Sequence, residues 1–390
     1  MMTTRSLRAS AIAACAALGM VAAPAMAQDL VSTLPAELQA LYVGSVAKIQ
    51  PSAYDDFKTP AEPWKWCHSE SYQGNPFRVT VTNELRRLVE ALGASFEVSD
   101  SNGDTAQQIN QIRAFIDKGC TIITSIPASE TGLNDVIKAA YDAGIPFVTA
   151  AGEVSSPYAI NVESNYAAWA SDMLHAISKA KGGKADLLMV EGIAGNPGVV
   201  QMRGAADKTL AEETGLNLVR SVYGDWTANV TKSAVLQVLA TYPGNIDAVW
   251  TSGSESRVIA EAFAEAGRKP PLITGSATGD AIGYWKANPD KYDFTGHGVW
   301  PHWTAQTLFR VAVRVLEGQQ PKLNAIMIPL PVVTLADFEG LYGPCMTADA
   351  VSVFPIPTSD PVPETVLDGY FKKPAPTKGY DYSTVPAACP

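Results

Sequence analysis

Basic charge, histidine and long apolar runs are all scarce in this chain of 390 residues. There are 29 Lys and Arg against 39 Asp and Glu, a formal charge of −10 at pH 7. That balance argues against nucleic acid as a partner, because phosphate-binding surfaces present basic patches that release counterions. Only four His occur, and no pair has metal-ligand spacing. His297 and His302 are separated by Pro301 and do not share a helical face. No metal and no other cofactor is therefore expected. The chain has no G-x-S-x-G elbow and no phosphate-binding loop, and the stretch from Gly192 to Gly198 follows the sixth predicted strand rather than opening the chain. With no catalytic constellation, the chain reads as a non-enzyme.

What is present begins at the N-terminus. Arg5 and Arg8 precede an apolar stretch from Ala9 to Ala23, and Pro24 leads into Ala25-Met26-Ala27, the small-x-small pattern that precedes signal-peptide cleavage. The apolar stretch falls short of the roughly 20 residues that a membrane-spanning helix needs. Residues 1–27 read as a signal peptide, with Gln28 the expected mature start and an extracytoplasmic place of work. Ile12-Ala13-Ala14-Cys15 resembles a lipoprotein modification motif, but too little apolar sequence precedes Cys15. The remaining four cysteines permit two disulfides in an oxidising compartment. Cys345 with Cys389 would close the C-terminal tail. Cys67 and Cys120 fall in predicted buried strands, where cysteine commonly serves as a small apolar residue, so that second pair is the less expected.

From about residue 64 to 335, short apolar strands alternate with amphipathic helical stretches. The helix predicted over 76–92 carries Leu85, Leu88 and Leu92, and that over 105–118 carries Ile109, Ile112 and Ile116 on one face. Such alternation predicts an α/β chain with parallel sheets covered by helices on both faces, and two successive runs predict two doubly wound lobes. Ligands of that architecture bind beyond the carboxyl ends of the strands. Residues 28–62 and 336–390 are rich in Pro and turn residues, so both ends are expected to be irregular or wrapped on the surface.

Several segments, in order, resemble the ribose- and galactose-type periplasmic binding proteins (type I). They are Ser71-Tyr72-Gln73-Gly74-Asn75-Pro76-Phe77, Ala143-Gly144-Ile145-Pro146-Phe147-Val148, Glu191 to Gly198 followed by Arg203-Gly204, Gly224-Asp225-Trp226, and Leu316-Glu317-Gly318 with Gln320-Pro321. The resemblance implies two similar lobes joined by a three-segment hinge, closing on a ligand, in a periplasmic monomer. It also implies delivery of that ligand to an ABC permease of the inner membrane or to a chemoreceptor. On this basis the N-terminal lobe is expected over 63–155 plus 300–325 and the C-terminal lobe over 156–299 plus 326–335. The hinge crossings fall near 150–164, 275–300 and 320–335. Lac-repressor-like regulators share the lobes but begin with a helix-turn-helix, where this chain carries its expected signal peptide.

A sugar-type site needs aromatic faces against the ring and convergent polar groups for its hydroxyls. Phe77 and Trp226 fall where the resembled family stacks its ligand from opposite lobes. Asn75 is a hydroxyl ligand or a helix cap. The family's Asp-Arg pair is replaced by Ala151-Gly152, and its further polar positions fall near Gly253, Ala277, Val299 and Gln201. The usual bidentate charged clamp is thus missing. Its replacements are sought in His68, Ser69, Glu70, Ser71 and Tyr72, in Glu153 and Asn196, in Ser254 and Glu255, in Ser276 and Thr278, and in His297 and Trp300. More carboxylate and aromatic surface than usual suits a polyol, a modified sugar, a ring compound or a cationic solute.

Overall fold

The computed structural model describes residues 22–389. The basic and apolar start of the expected signal peptide lies outside them, and a helix over Ala22–Val31 runs through Ala25-Met26-Ala27. Twelve strands are described: β1 (Lys65–Glu70), β2 (Ser95–Asp100), β3 (Ile122–Ile126), β4 (Phe147–Ala150), β5 (Ala159–Ser164), β6 (Ala185–Glu191), β7 (Leu216–Tyr223), β8 (Ala248–Thr251), β9 (Leu272–Ile273), β10 (Asp293–His297), β11 (Ala325–Ile328) and β12 (Val332–Thr334). They form two six-stranded sheets, ordered β11-β5-β4-β3-β1-β2 and β12-β10-β9-β8-β6-β7. All pairs are parallel except β10 with β12. Both sheets have the same doubly wound order, and in each the switch point lies where the first strand of the lobe meets the third.

Local sequence explains the starts and stops. Asn75 caps the helix Pro76–Ala91, Asn165 caps Tyr166–Ala180 and Asn196 caps Pro197–Glu212, each accepting a backbone N–H of the first turn. Pro76 and Pro197 occupy first helical positions, where a missing N–H loses nothing. Gly144 ends the helix Asn134–Asp142 at φ 74°, a left-handed conformation that L side chains resist, and Pro146 then leads into β4.

The lobe boundaries need correction. β5 pairs with β4 and β11, so residues 159–164 and 326–328 complete the first sheet rather than joining the second lobe. The chain therefore changes sheets between Ser164 and Tyr166, between His297 and Pro301, and between Ile328 and Val332. The cysteine reading also changes. Cys67 and Cys120 are buried, as their strand context indicated, but they are bonded to each other, with Cα atoms 6.0 Å apart. Parallel pairing of β1 with β3 sets Cys67 opposite Ile123 and brings Cys120, two residues before β3, within reach of it, so burial and disulfide formation coincide. Cys345 and Cys389 are bonded as well.

The two ends are built into the molecule. The N-terminal extension lies on the first lobe. There the Tyr42 hydroxyl donates to the Ala325 carbonyl at 2.5 Å, and the Tyr54 hydroxyl donates to Tyr158 and accepts from Phe147 N. The C-terminal tail touches both lobes in turn. Its helix Leu335–Leu341 sets Phe338 against Trp285, Tyr292 and Phe294, and the Val353 carbonyl accepts from Gly279 N of the second lobe at 2.9 Å. Phe354 then meets Phe77 of the first lobe edge-on, at 6.5 Å. Residues 360–377 surround Arg310 and Arg314, both fully buried on the first-lobe helix Pro301–Leu316. Asp360, Glu364 and Asp368 accept from these guanidinium groups, as do the Val362 carbonyl and Thr377 hydroxyl. The chain finally returns to Cys389.

Candidate ligand-binding cleft

The carboxyl ends of β1, β4 and β5 in one lobe and of β6 and β8 in the other present the polar side chains of the cleft. On the first lobe, Glu70 ends β1 fully buried and accepts from Arg78 at 2.5 Å; Arg78 also donates to Ser71 Oγ at 2.6 Å. Glu70 in turn holds the Tyr72 backbone N–H at 3.1 Å. The Tyr72 ring lies on Gly74, whose position leaves no room for a Cβ.

Glu153 follows β4, and the backbone next to it is fixed by the Asn161 side chain. That side chain accepts from Val154 N at 2.9 Å, donates to the Val154 carbonyl at 3.0 Å, and accepts from Thr149 Oγ1 at 2.7 Å. Burial pushes the Glu153 carboxyl up to about 7, with Glu130 adding to the shift and Lys48 and Gln201 opposing it. Gln201 belongs to the second lobe, so Glu153 lies where the lobes face each other. Glu163, at the end of β5, is 2% exposed, and neither of its carboxylate oxygens has a hydrogen-bond partner. Burial first, and the neighbouring Glu153 second, hold it well above the ordinary carboxylate range; the Gly152 backbone and the Tyr166 hydroxyl oppose the shift from nearby, outside good hydrogen-bond geometry. Tyr166 stands beside it, its hydroxyl raised by burial and then by Glu163, and its ring meets the backbone of Gly198 in the second lobe.

On the second lobe, Trp226 follows Asp225, and both hold left-handed φ values of 52° and 51°. Such a conformation is strained for a bulky residue and is kept only where the surroundings enforce it. The enforcement is visible: the indole covers Gly192 after β6 and Gly253 after β8, at each of which a Cβ would overlap the ring. Its N–H donates to Ser252 Oγ at 3.2 Å. The Glu255 carboxylate lies over the same Gly253, and burial, with Asp280 adding to it, pushes it up to about 7. Ser254 is half-buried at the same turn.

Several candidates are committed elsewhere. Asn75 and Asn196 spend their side-chain oxygens on helix caps. Phe77 rests on Phe354 of the tail. Ser276 donates to the Val299 carbonyl, and Thr278 to Asp280. Ser69 accepts from the Gln108 amide. His68 sits in the core against Thr124, and His297 is buried with the edge of Trp169 against it. Trp300, placed near the third crossing as a cleft residue, is instead packed at 4% exposure, its N–H spent on the Ala277 carbonyl. Sequence reasoning missed Arg78, Glu163 and Tyr166. Recognising Ala159–Ser164 as a strand would have found Glu163, since a Glu at the carboxyl end of a parallel strand faces the ligand zone. Among the described residues, no cluster of three or more His, Cys, Asp or Glu is placed to hold a metal ion, and no helix is long and apolar enough to cross a membrane.

Against known proteins, a family model described as "Periplasmic binding protein domain" matches residues 69–320. A xylitol-binding protein of Mycolicibacterium smegmatis is 22% identical over 179 residues, which cover 45% of this chain and only about half, 51%, of that protein. A ribose import binding protein of Haemophilus influenzae is 24% identical over 210 residues, 53% of this chain and 71% of the relative. Among solved structures, an ABC transporter solute binding protein from Thermobispora bispora is 25% identical. It has a TM-score of 0.65 and covers 74% of this chain and 88% of its own. A Bacillus halodurans solute binding protein with bound myo-inositol has the same fold at TM-score 0.65 and 19% identity, covering 73% of this chain and 98% of its own.

Proposed function

Because the chain belongs to the periplasmic binding protein domain family, we propose that it is the solute-capturing component of an ABC importer, closing its lobes on a small polyhydroxylated ligand. The observation that carries this reading is Trp226, held in a strained backbone over two glycines at the ends of β6 and β8. An aromatic ring fixed there offers a flat apolar face to the C–H surface of a sugar or cyclic polyol, while Glu153 and Glu255 supply polar groups from the two lobes. The bound glycerol of a mycobacterial solute binding protein and the bound myo-inositol of the Bacillus halodurans protein belong to the same ligand class. On this reading the protein binds and releases without chemistry, as a monomer. It is exported by residues 1–27 to the periplasm, and the inner-membrane permease is its partner. The same cleft serves a sensory system equally well, with a chemoreceptor in the permease's place.

The test is a thermal-shift screen across aldoses, polyols, inositols and amino sugars. A ligand that binds only the folded protein raises Tm by mass action. A large shift from at least one compound is expected, and a flat response across the whole panel overturns the reading.

A further inference from the structure

Cations in the cleft are already spent, while carboxylates are not. Arg78 is committed to Glu70 and Ser71. Arg257 is committed to Asp280 and Glu261. Lys48 pairs with Glu130 at 2.8 Å. Against these, Glu163 is almost fully buried with no cationic partner, Glu153 stands beside it, and Glu255 lies next to the Trp226 indole, also without a cation. A buried carboxylate without a countercharge is costly, and it is relieved by taking up a proton or by receiving a cation.

Resting on the capture reading above, we propose that the preferred ligand is a polyol or sugar bearing a protonated amine, with Glu163 the residue that selects for that charge. An ammonium group brings one positive charge and three N–H donors, which match both Glu163 oxygens and a third acceptor on Glu153. A neutral hydroxyl donates a single hydrogen bond and brings no charge, so the acids must stay protonated instead of pairing with the ligand. The second lobe carries the same chemistry: a carboxylate at the edge of an indole face is an arrangement that attracts cations through both the ring quadrupole and the charge. The family's bidentate clamp has given way here to acids without bases, and the change of side chains therefore implies a change in the charge of the ligand.

Matched pairs differing by one amine test this directly: D-glucosamine against D-glucose, and 1-amino-1-deoxy-D-sorbitol against D-sorbitol, by calorimetry at pH 7.5 with the full chain. In at least one pair the amine is expected to bind about tenfold or more tightly, equivalent to a full step of 1.4 kcal/mol. Glu163→Gln is expected to erase that preference, read as the ratio of the two affinities within each pair, since the amide keeps shape and hydrogen bonding but not charge. If Glu163→Gln does not fold, Glu153→Gln is read in its place, with the preference expected to fall. Equal or tighter binding of the neutral member in both pairs overturns the inference and leaves solute capture standing. A preference that survives the substitution overturns the role of Glu163. Failure of all four compounds, together with a flat response from the wider panel, overturns the capture reading and this inference with it.

Discussion

Arg314, fully buried on a first-lobe helix, donates to Asp368 of the C-terminal tail at 2.8 Å, and the same guanidinium also reaches Glu364. Removing one partner of a buried ion pair leaves the other uncompensated and costs about 3–5 kcal/mol where the whole pair is buried. Here the acids are partly exposed, so Arg314→Ala is expected to destabilise by ~2 kcal/mol, read as a lower urea midpoint. Arg314→Lys should recover only part of this, because an ammonium cannot fork between two carboxylates.

Glu364 responds to acid. Burial pushes its carboxyl up, but the hydrogen bond from Arg314 and the charges of Arg310 and Arg314 outweigh burial and hold it below the usual value. A depressed carboxylate contributes stability at pH above its unfolded value, and that contribution is lost as pH falls through the lowered folded value. Wild type should therefore lose Tm below about pH 4.5 more steeply than Glu364→Gln does.

Glu255 has the opposite sign. Its folded value of about 7 lies above the unfolded 4.5, so its stabilising contribution is complete below 4.5 and disappears as pH rises through 7. Glu255→Gln should raise Tm at pH 8 and leave it nearly unchanged at pH 4. A variant less stable than wild type at pH 8 would sink the argument.

Trp226→Ala should weaken binding of the strongest ligand in the panel by about tenfold or more, the loss typical of an aromatic anchor. Gly192→Ala should act in the same direction without touching the indole chemically, because the added Cβ displaces the ring. Unchanged affinity in both variants would remove Trp226 from the site.

The two disulfides should differ in accessibility. Cys67 and Cys120 are buried, whereas Cys345 and Cys389 are half-buried on the tail. Mild reduction under native conditions followed by alkylation should label Cys345 and Cys389 first, as peptide mass spectrometry will show. Early labelling of Cys67 would contradict the packing described.

The alternation of apolar runs made most of the two sheets legible, because Ile122–Ile126 or Ala185–Glu191 can be buried only as central parallel strands. Ala159–Ser164 escaped because Asn161 and Glu163 interrupt its apolar pattern. One of these polar residues is satisfied by the Val154 backbone and the other is buried without a cationic partner. The aromatic at position 226 and the acids at 70, 153 and 255 could be placed from their loops. Trp300 could not, since only the fold reveals that its N–H meets the Ala277 carbonyl. Arg310 and Arg314 look like ordinary surface charges four residues apart. Their partners Asp360, Glu364 and Asp368 lie some fifty residues away in a proline-rich stretch without periodicity, so the match is a tertiary fact.

The tail also sets a mechanical bound. Val353 is tied to the second lobe and Asp360 to the first, and seven peptide steps lie between them. A chain cannot extend beyond about 3.5 Å per residue, so this span is limited to roughly 25 Å. The Cys345–Cys389 bond closes the tail into a ring, so slack cannot be drawn in from a free end. Any swing of the lobes that keeps both anchors is a tethered one, with a stroke fixed by a length of backbone rather than by the hinge alone.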